Sequence, residues 1–142
     1  MTAQVDALVR RAHAQYRDRQ FDLAAITVSG VLSMAPQHAG ARLLQAAIDL
    51  RFDRYRSAHA QVLAVAAHPP ADAATEYELF QRLRTFNEHA AMVESARRLL
   101  AAKPLDVAQQ MQLASSLSGI GVADAAEAVL ARMRAREPGH VA

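Results

Sequence analysis

Residues 16–36 read YRDRQFDLAAITVSGVLSMAP, and 34 positions later residues 50–70 read LRFDRYRSAHAQVLAVAAHPP. Both stretches run from a polar turn through an aromatic (Phe21, Tyr55) and a small residue three places on (Ala24, Ala58) to a closing proline (Pro36, Pro70). The interval continues: Pro104 and Pro138 complete three successive gaps of 34 residues, with Pro69 merely beside one of them. A fixed period of this size is the signature of a repeat architecture, and it is the first thing to settle in a sequence. Other columns keep the register. Twelve residues before each proline stand Ala24, Ala58, Met92 and Ala126, and twelve before those stand Ala12, Ala46, Phe80 and Ala114. Phe52 repeats as Phe86, and two residues after the prolines come His38, Asp72, Asp106 and His140.

Within one period the apolar residues recur at helical spacing. VDALVRRAHAQYRD places Val5, Leu8, Val9, Ala12 and Tyr16 on one face, and FDLAAITVSGVLSMA does the same with Ala24, Val28, Val31 and Leu32. The polar DRQ between them is a short turn. Each repeat therefore predicts two helices of about 14 residues, or ~21 Å. The small residues in the columns of Ala12 and Ala24 let the two helices approach closely, and a large side chain there overpacks at a cost of about 1–3 kcal/mol. Proline ends the second helix because it lacks the donor that continues the ladder and disfavours helical geometry before it. Aspartate accepts well from the first amides of a helix, so a new helix is expected after Asp72 and Asp106.

Composition supports this and narrows the function. The chain has 142 residues, 52% hydrophobic and 21% charged, with five glycines and five prolines, which suits a globular domain and excludes a linker or disordered tail. Alanine is abundant, and it loses no side-chain entropy in a helix. There is no cysteine, so disulfides and thiolate metal or redox sites are excluded. The N-terminus MTAQVDALVRR lacks an apolar signal core, and no stretch reaches the ~18 apolar residues of a membrane span; a cytoplasmic location is the expectation. The net charge is +2; the pI near 9.5 reflects arginine in place of lysine, Lys103 standing alone. The basic residues are spread along the chain and form no tract, which argues against a nucleic-acid partner.

With its 34-residue unit, small residues in mid first helix and early second helix, an aromatic at the turn and a closing proline, the sequence resembles the tetratricopeptide repeat (TPR) superfamily. The resemblance covers residues 5–138; RTFNEHAAMVESARRLLAAKP (84–104) and SGIGVADAAEAVLARMRAREP (118–138) follow the pattern more loosely, and Phe80 and Met92 replace two of its small residues. It implies an all-α α-solenoid: four TPR helix-turn-helix repeats at about 5–37, 38–71, 72–105 and 106–138, eight antiparallel helices in a right-handed superhelix, forming one domain over 1–142. It further implies a protein–protein interaction module that takes a peptide or partner segment in its concave face, with no catalysis and no cofactor.

That face, by resemblance, is lined by Val9, Arg10, His13, Tyr16 and Arg17 in the first repeat and by Leu43, Leu44, Ala47, Leu50 and Arg51 in the second. Tyr77, Glu78, Gln81 and Arg84 follow, then Met111, Gln112 and Ser115. Arg17, Arg51, Tyr77, Arg84, His13 and Gln81 are the expected partner-binding residues. Arginine's planar fork of donors suits carboxylates, so the expected partner combines apolar and acidic residues. The plainer reading is that Leu43, Leu44 and Leu50 pack between helices and the arginines are solvated. TPR domains that grip the acidic tails of heat-shock chaperones use lysine, asparagine and arginine where this chain has Val9, His13, Leu44, Ala74 and Glu78, which argues against that role.

Other constellations carry less. The six histidines form no HxxxH pair, so no metal site is expected. SGIGVA (118–123) contains GxG but follows a helix and lacks the P-loop lysine; Gly121 stands where TPRs often carry a turn glycine. The serines of ASSLS sit in no GxSxG elbow. Glu76 and Glu78, two apart on a helix, point in different directions and make a poor acid/base pair. The final PGHVA aligns with PQHAGA, which leads the first repeat into the second. Residues 139–142 thus read as the start of a fifth repeat, and Ala126, Val129, Leu130 and Met133 form an apolar face that a further helix or a second copy covers. Two expectations follow: a homodimer through the C-terminal helix, or a chain that is the N-terminal arm of a larger enzyme such as a TPR-containing sulfotransferase.

Overall fold

The computed structural model describes residues 2–101, 107–119 and 131, and it is all-α. Among the described residues seven helices occur in order: α1 (Thr2–Arg17), α2 (Phe21–Met34), α3 (Ala39–Arg51), α4 (Tyr55–Ala67), α5 (Ala73–Thr85), α6 (His89–Ala101) and α7 (Val107–Gly119). There is no strand among the described residues. The helices form the hairpins α1/α2, α3/α4 and α5/α6, the architecture of a helical-repeat solenoid. Contacts divide the chain into two compact units, Met1–Ala71 and Asp72–Ala142, and the boundary coincides with that between the second and third sequence repeats. Pro104, Pro138, Asp106, His140, Gly121, the helix expected after it with its face of Ala126, Val129, Leu130 and Met133, and residues 139–142 lie outside the described residues.

The close-approach columns are the heart of both units. Ala12, Ala24, Ala46 and Ala58 are buried in the first, and Phe80, Met92 and Ala114 in the second. In the first unit Val5, Val28, Val31, Ala41, Leu44 and Ile48 pack with Ala12 and Ala24, joined by the half-buried Leu8, Val9 and Tyr16. In the second, Leu79, Leu83, Ala96, Leu99, Leu113 and Leu117 are buried. Emptying any of these leucine sites to alanine costs about 2–5 kcal/mol.

The turn inside each hairpin is built the same way three times. Arg19, Asp53 and Asn87, 34 residues apart, have φ of 63°, 58° and 55°. The next residue's amide reaches back five residues in each case: Gln20 to the Gln15 carbonyl (2.9 Å), Arg54 to Asp49 (2.8 Å) and Glu88 to Leu83 (3.0 Å). The left-handed residue's own amide donates three back, to Tyr16 (3.0 Å), Leu50 (3.3 Å) and Arg84 (3.1 Å). This pair of bonds is the Schellman motif, which satisfies carbonyls that the helix end leaves orphaned. The carbonyls of Gln20, Arg54 and Glu88 then accept from Ala24, Ala58 and Met92, so the residue that closes one helix opens the next.

The column two residues after the prolines caps two of the first helices. The Asp72 carboxylate accepts from the Thr75 amide (2.9 Å), and Nδ1 of His38 accepts from the Ala41 amide (3.1 Å). Among the described residues each unit also buries one carboxylate in a hairpin. Asp49 on α3 accepts from Gln45 Nε2 (2.9 Å) and Ser57 Oγ (2.7 Å), with Arg54 at 3.7 Å. Glu76 on α5 accepts from Ser95 Oγ (2.8 Å) and is paired through both oxygens with Arg98 on α6.

Candidate interaction surface

Helices have two sides, and the core takes one side of α1, α3, α5 and α7. In the first unit Leu43, Leu44 and Ala47 are buried, so they belong to the packing and not to an open groove floor; Leu50 is half-buried. What α1 leaves outside is a stripe of Arg10, His13 and Arg17, spaced three and four apart and hence on one face. Arg10 and Arg17 are exposed and His13 half-buried, and none of the three has a side-chain hydrogen bond or ion pair among the described residues.

Arg51, at the end of α3, is different because its position is fixed. Its Nε donates to the Tyr16 hydroxyl at 3.3 Å. Its guanidinium carbon lies 5.8 Å from the centre of the Tyr16 ring and 5.1 Å from that of Phe21. The two rings meet edge to face, with centroids 5.2 Å apart and planes at 65°. Cation–π contacts of this kind contribute about 0.5–1 kcal/mol at exposed sites, and here they hold an exposed cation at the C-terminal end of a helix, where the macrodipole favours it.

The second unit joins α5 to α7 by polar rungs. The Tyr77 hydroxyl donates to Gln112 Oε1 and Arg84 Nη1 to Ser116 Oγ (3.3 Å), while Arg84 Nη2 donates within α5 to Gln81 Oε1 (3.5 Å). Tyr77, Glu78 and Gln81 are half-buried, while Arg84, Gln112 and Ser115 are exposed. Met111 is 51% exposed. Of the six residues expected to bind a partner, Arg17, Arg51 and His13 thus stand on the first unit and Tyr77, Gln81 and Arg84 on the second. The sequence reading missed Tyr16 and Phe21 as the props of Arg51 and Ser116 as the acceptor for Arg84. The 35-residue separation of Tyr16 from Arg51 and of Tyr77 from Gln112 is a signal that repeat alignment carries, one residue off the period.

Glu76, weighed as a carboxylate for acid/base work, is buried in its ion pair with Arg98 and faces α6, while Glu78 is half-buried. Among the described residues no three His, Asp or Glu side chains converge as a metal site, and no helix is long and apolar enough to cross a membrane.

The class this geometry defines is a helical-repeat solenoid whose first helices carry the polar face. No family model matches the chain, and no curated protein matches it by sequence. Among solved structures it is similar to MamA 41-end from Desulfovibrio magneticus RS-1, at 19% identity and a TM-score of 0.64, over 97% of this chain and 78% of that one. The MamA RS-1 ArsTM double mutant matches with the same values. The likeness is one of fold.

Proposed function

We propose that the chain is a TPR-type protein-interaction domain over its 142 residues, holding a partner protein or peptide on the faces of α1, α3, α5 and α7. The observation that carries this is the division of labour within those helices: one side is core, and the other presents arginine, tyrosine and amide groups at repeating positions. Within each unit neighbouring repeats give such a surface length, and length suits an extended segment better than a small molecule. Arg17, Arg51, Tyr77 and Arg84 are the principal contacts, with His13 and Gln81 beside them.

The test is a quadruple variant with alanine at Arg17, Arg51, Tyr77 and Arg84, compared with the parent chain in an affinity capture read by mass spectrometry. All four side chains are exposed or half-buried, so helicity by circular dichroism is expected to persist. Partners retained by the parent chain are expected to be lost from the variant. A partner set captured equally by both removes the assignment to this face.

A further inference from the structure

The interaction reading leaves open where on these faces the partner is gripped and what its chemistry is. Resting on that reading, we propose that the α1–α3 face of the first unit is the gripping part, and that it takes an extended acidic segment with carboxylates about three residues apart, received by Arg10, Arg17 and Arg51.

The charge of the first unit supports this. Residues 1–71 hold eight arginines and no lysine against five aspartates and no glutamate. Two of those aspartates are already engaged: Asp49 is buried with Gln45, Ser57 and Arg54, and Asp53 accepts from the Tyr55 hydroxyl at 3.2 Å. Asp6 lies one turn before Arg10 on the same stripe, and Asp18 and Asp22 lie in the turn and at the start of α2. None of them pairs with Arg10, Arg17 or Arg51 among the described residues.

Arg51 is the anchor. Immobilising a long side chain at an interface costs about 0.5–1.5 kcal/mol. Tyr16 and Phe21 have already immobilised this one, and they use only its Nε and the face of its guanidinium. Both Nη groups remain without a protein acceptor among the described residues, and that edge is the one a carboxylate takes. The second unit offers the opposite case. Arg84 donates through both Nη groups to Ser116 and Gln81.

Geometry sets the spacing. Arg10 and Arg17 are seven residues apart, about 10.5 Å along a helix, and Arg17 and Arg51 stand at equivalent positions of neighbouring helices, about 8–10 Å apart. An extended chain advances about 3.3 Å per residue, so carboxylates at every third position match each interval, the segment turning at Arg17 because the first interval runs along α1 and the second across to α3. A nucleic acid is disfavoured because its denser row of phosphates needs a continuous basic stripe, which Asp6 and Asp18 interrupt.

The experiment titrates the full chain into a fluorescein-labelled dodecapeptide with glutamate at every third position and serine and leucine elsewhere, followed by anisotropy. Saturable binding is expected, weakened about tenfold or more when the glutamates become glutamine. Arg51→Gln is expected to weaken binding about tenfold, and Arg10→Gln and Arg17→Gln severalfold each. Tyr16→Phe keeps the ring but frees Nε, so it is expected to lose about two- to fivefold. Arg56→Gln, an exposed arginine on α4 and off this face, is expected to change nothing. Absence of binding, equal binding of the glutamine peptide, or indifference to Arg51→Gln overturns the proposal. If Arg84→Gln and Tyr77→Phe abolish binding while the first-unit variants do not, this proposal fails and the broader interaction reading stands; if neither set matters, both fail. Tighter binding of an oligouridylate with a steep salt dependence puts the partner in the wrong class and also overturns it.

Discussion

The two units place different volumes in the same columns. In the first, Ala12 and Ala24 fill the paired columns, as do Ala46 and Ala58; in the second, Phe80 and Met92 fill them in the α5/α6 hairpin while Ala114 on α7 keeps the small residue, and all seven residues are buried. The same opposition appears on the surface, where Arg51 rests on aromatic rings with its donor edge open and Arg84 is bonded through to α7. A repeat register therefore constrains where a side chain points and whether it is buried, while its size and polarity are fixed locally by neighbours. That is why the hairpins keep one turn geometry although their cores differ.

The largest expected effect comes from forcing the second unit to follow the first. Phe80→Ala copies the alanine of Ala12 and Ala46 into a site shaped for a ring, and it is expected to cost about 3–5 kcal/mol, because the cavity collapses only in part. Chemical denaturation followed by circular dichroism measures it. A cost below about 1 kcal/mol means that α5 and α6 can close up as the alanine hairpins do, and the contrast between the units then has no energetic content.

The buried carboxylates sharpen the same comparison at lower energy. Glu76 and Asp49 are equally buried, but their arginines are not: Arg98 is 34% exposed and bonded through both Glu76 oxygens, while Arg54 is 58% exposed and stands 3.7 Å from Asp49. Asp49 is held chiefly by the neutral donors of Gln45 and Ser57. Double-mutant cycles with alanine are expected to give a coupling of about 1–3 kcal/mol for Glu76 with Arg98 and about 0–1 kcal/mol for Asp49 with Arg54, whose charge is screened by solvent. Equal couplings contradict the burial argument.

Much of this was legible beforehand. The prolines and the alanine columns announced the hairpins, and the aspartate column announced the helix starts, because each rests on a local rule of backbone or packing. For Leu43 and Leu44 two readings stood open, groove floor or packing between helices, and their burial, shared by Ala47, follows the second; one helix's periodicity alone does not decide between them. The partners of Arg51 and Glu76 were invisible for the same reason. Tyr16 is 35 residues from Arg51, and Arg98 is 22 from Glu76, so only the stacking of hairpins and the pairing of helices bring them together.

The turn column is where the smallest effect, and a change of sign, is expected. Arg19, Asp53 and Asn87 share a left-handed backbone, and the next position in the register is Gly121. Asparagine and aspartate tolerate that region through local hydrogen bonds, whereas arginine has no such compensation. The first unit's opening turn therefore carries a strain that the second unit's turn at Asn87 largely avoids. Replacing Arg19 by glycine removes the Cβ clash, worth about 1–2 kcal/mol, and gives back part of it through the greater freedom of glycine in the unfolded chain. The expected net is a stabilisation of about 0.5–1 kcal/mol for Arg19→Gly and a few tenths for Asn87→Gly, read as shifts in denaturation midpoint. Because Arg19 is exposed and lies off the stripe of Arg10, His13 and Arg17, peptide binding should stay unchanged, which separates the strain of the turn from the chemistry of the face.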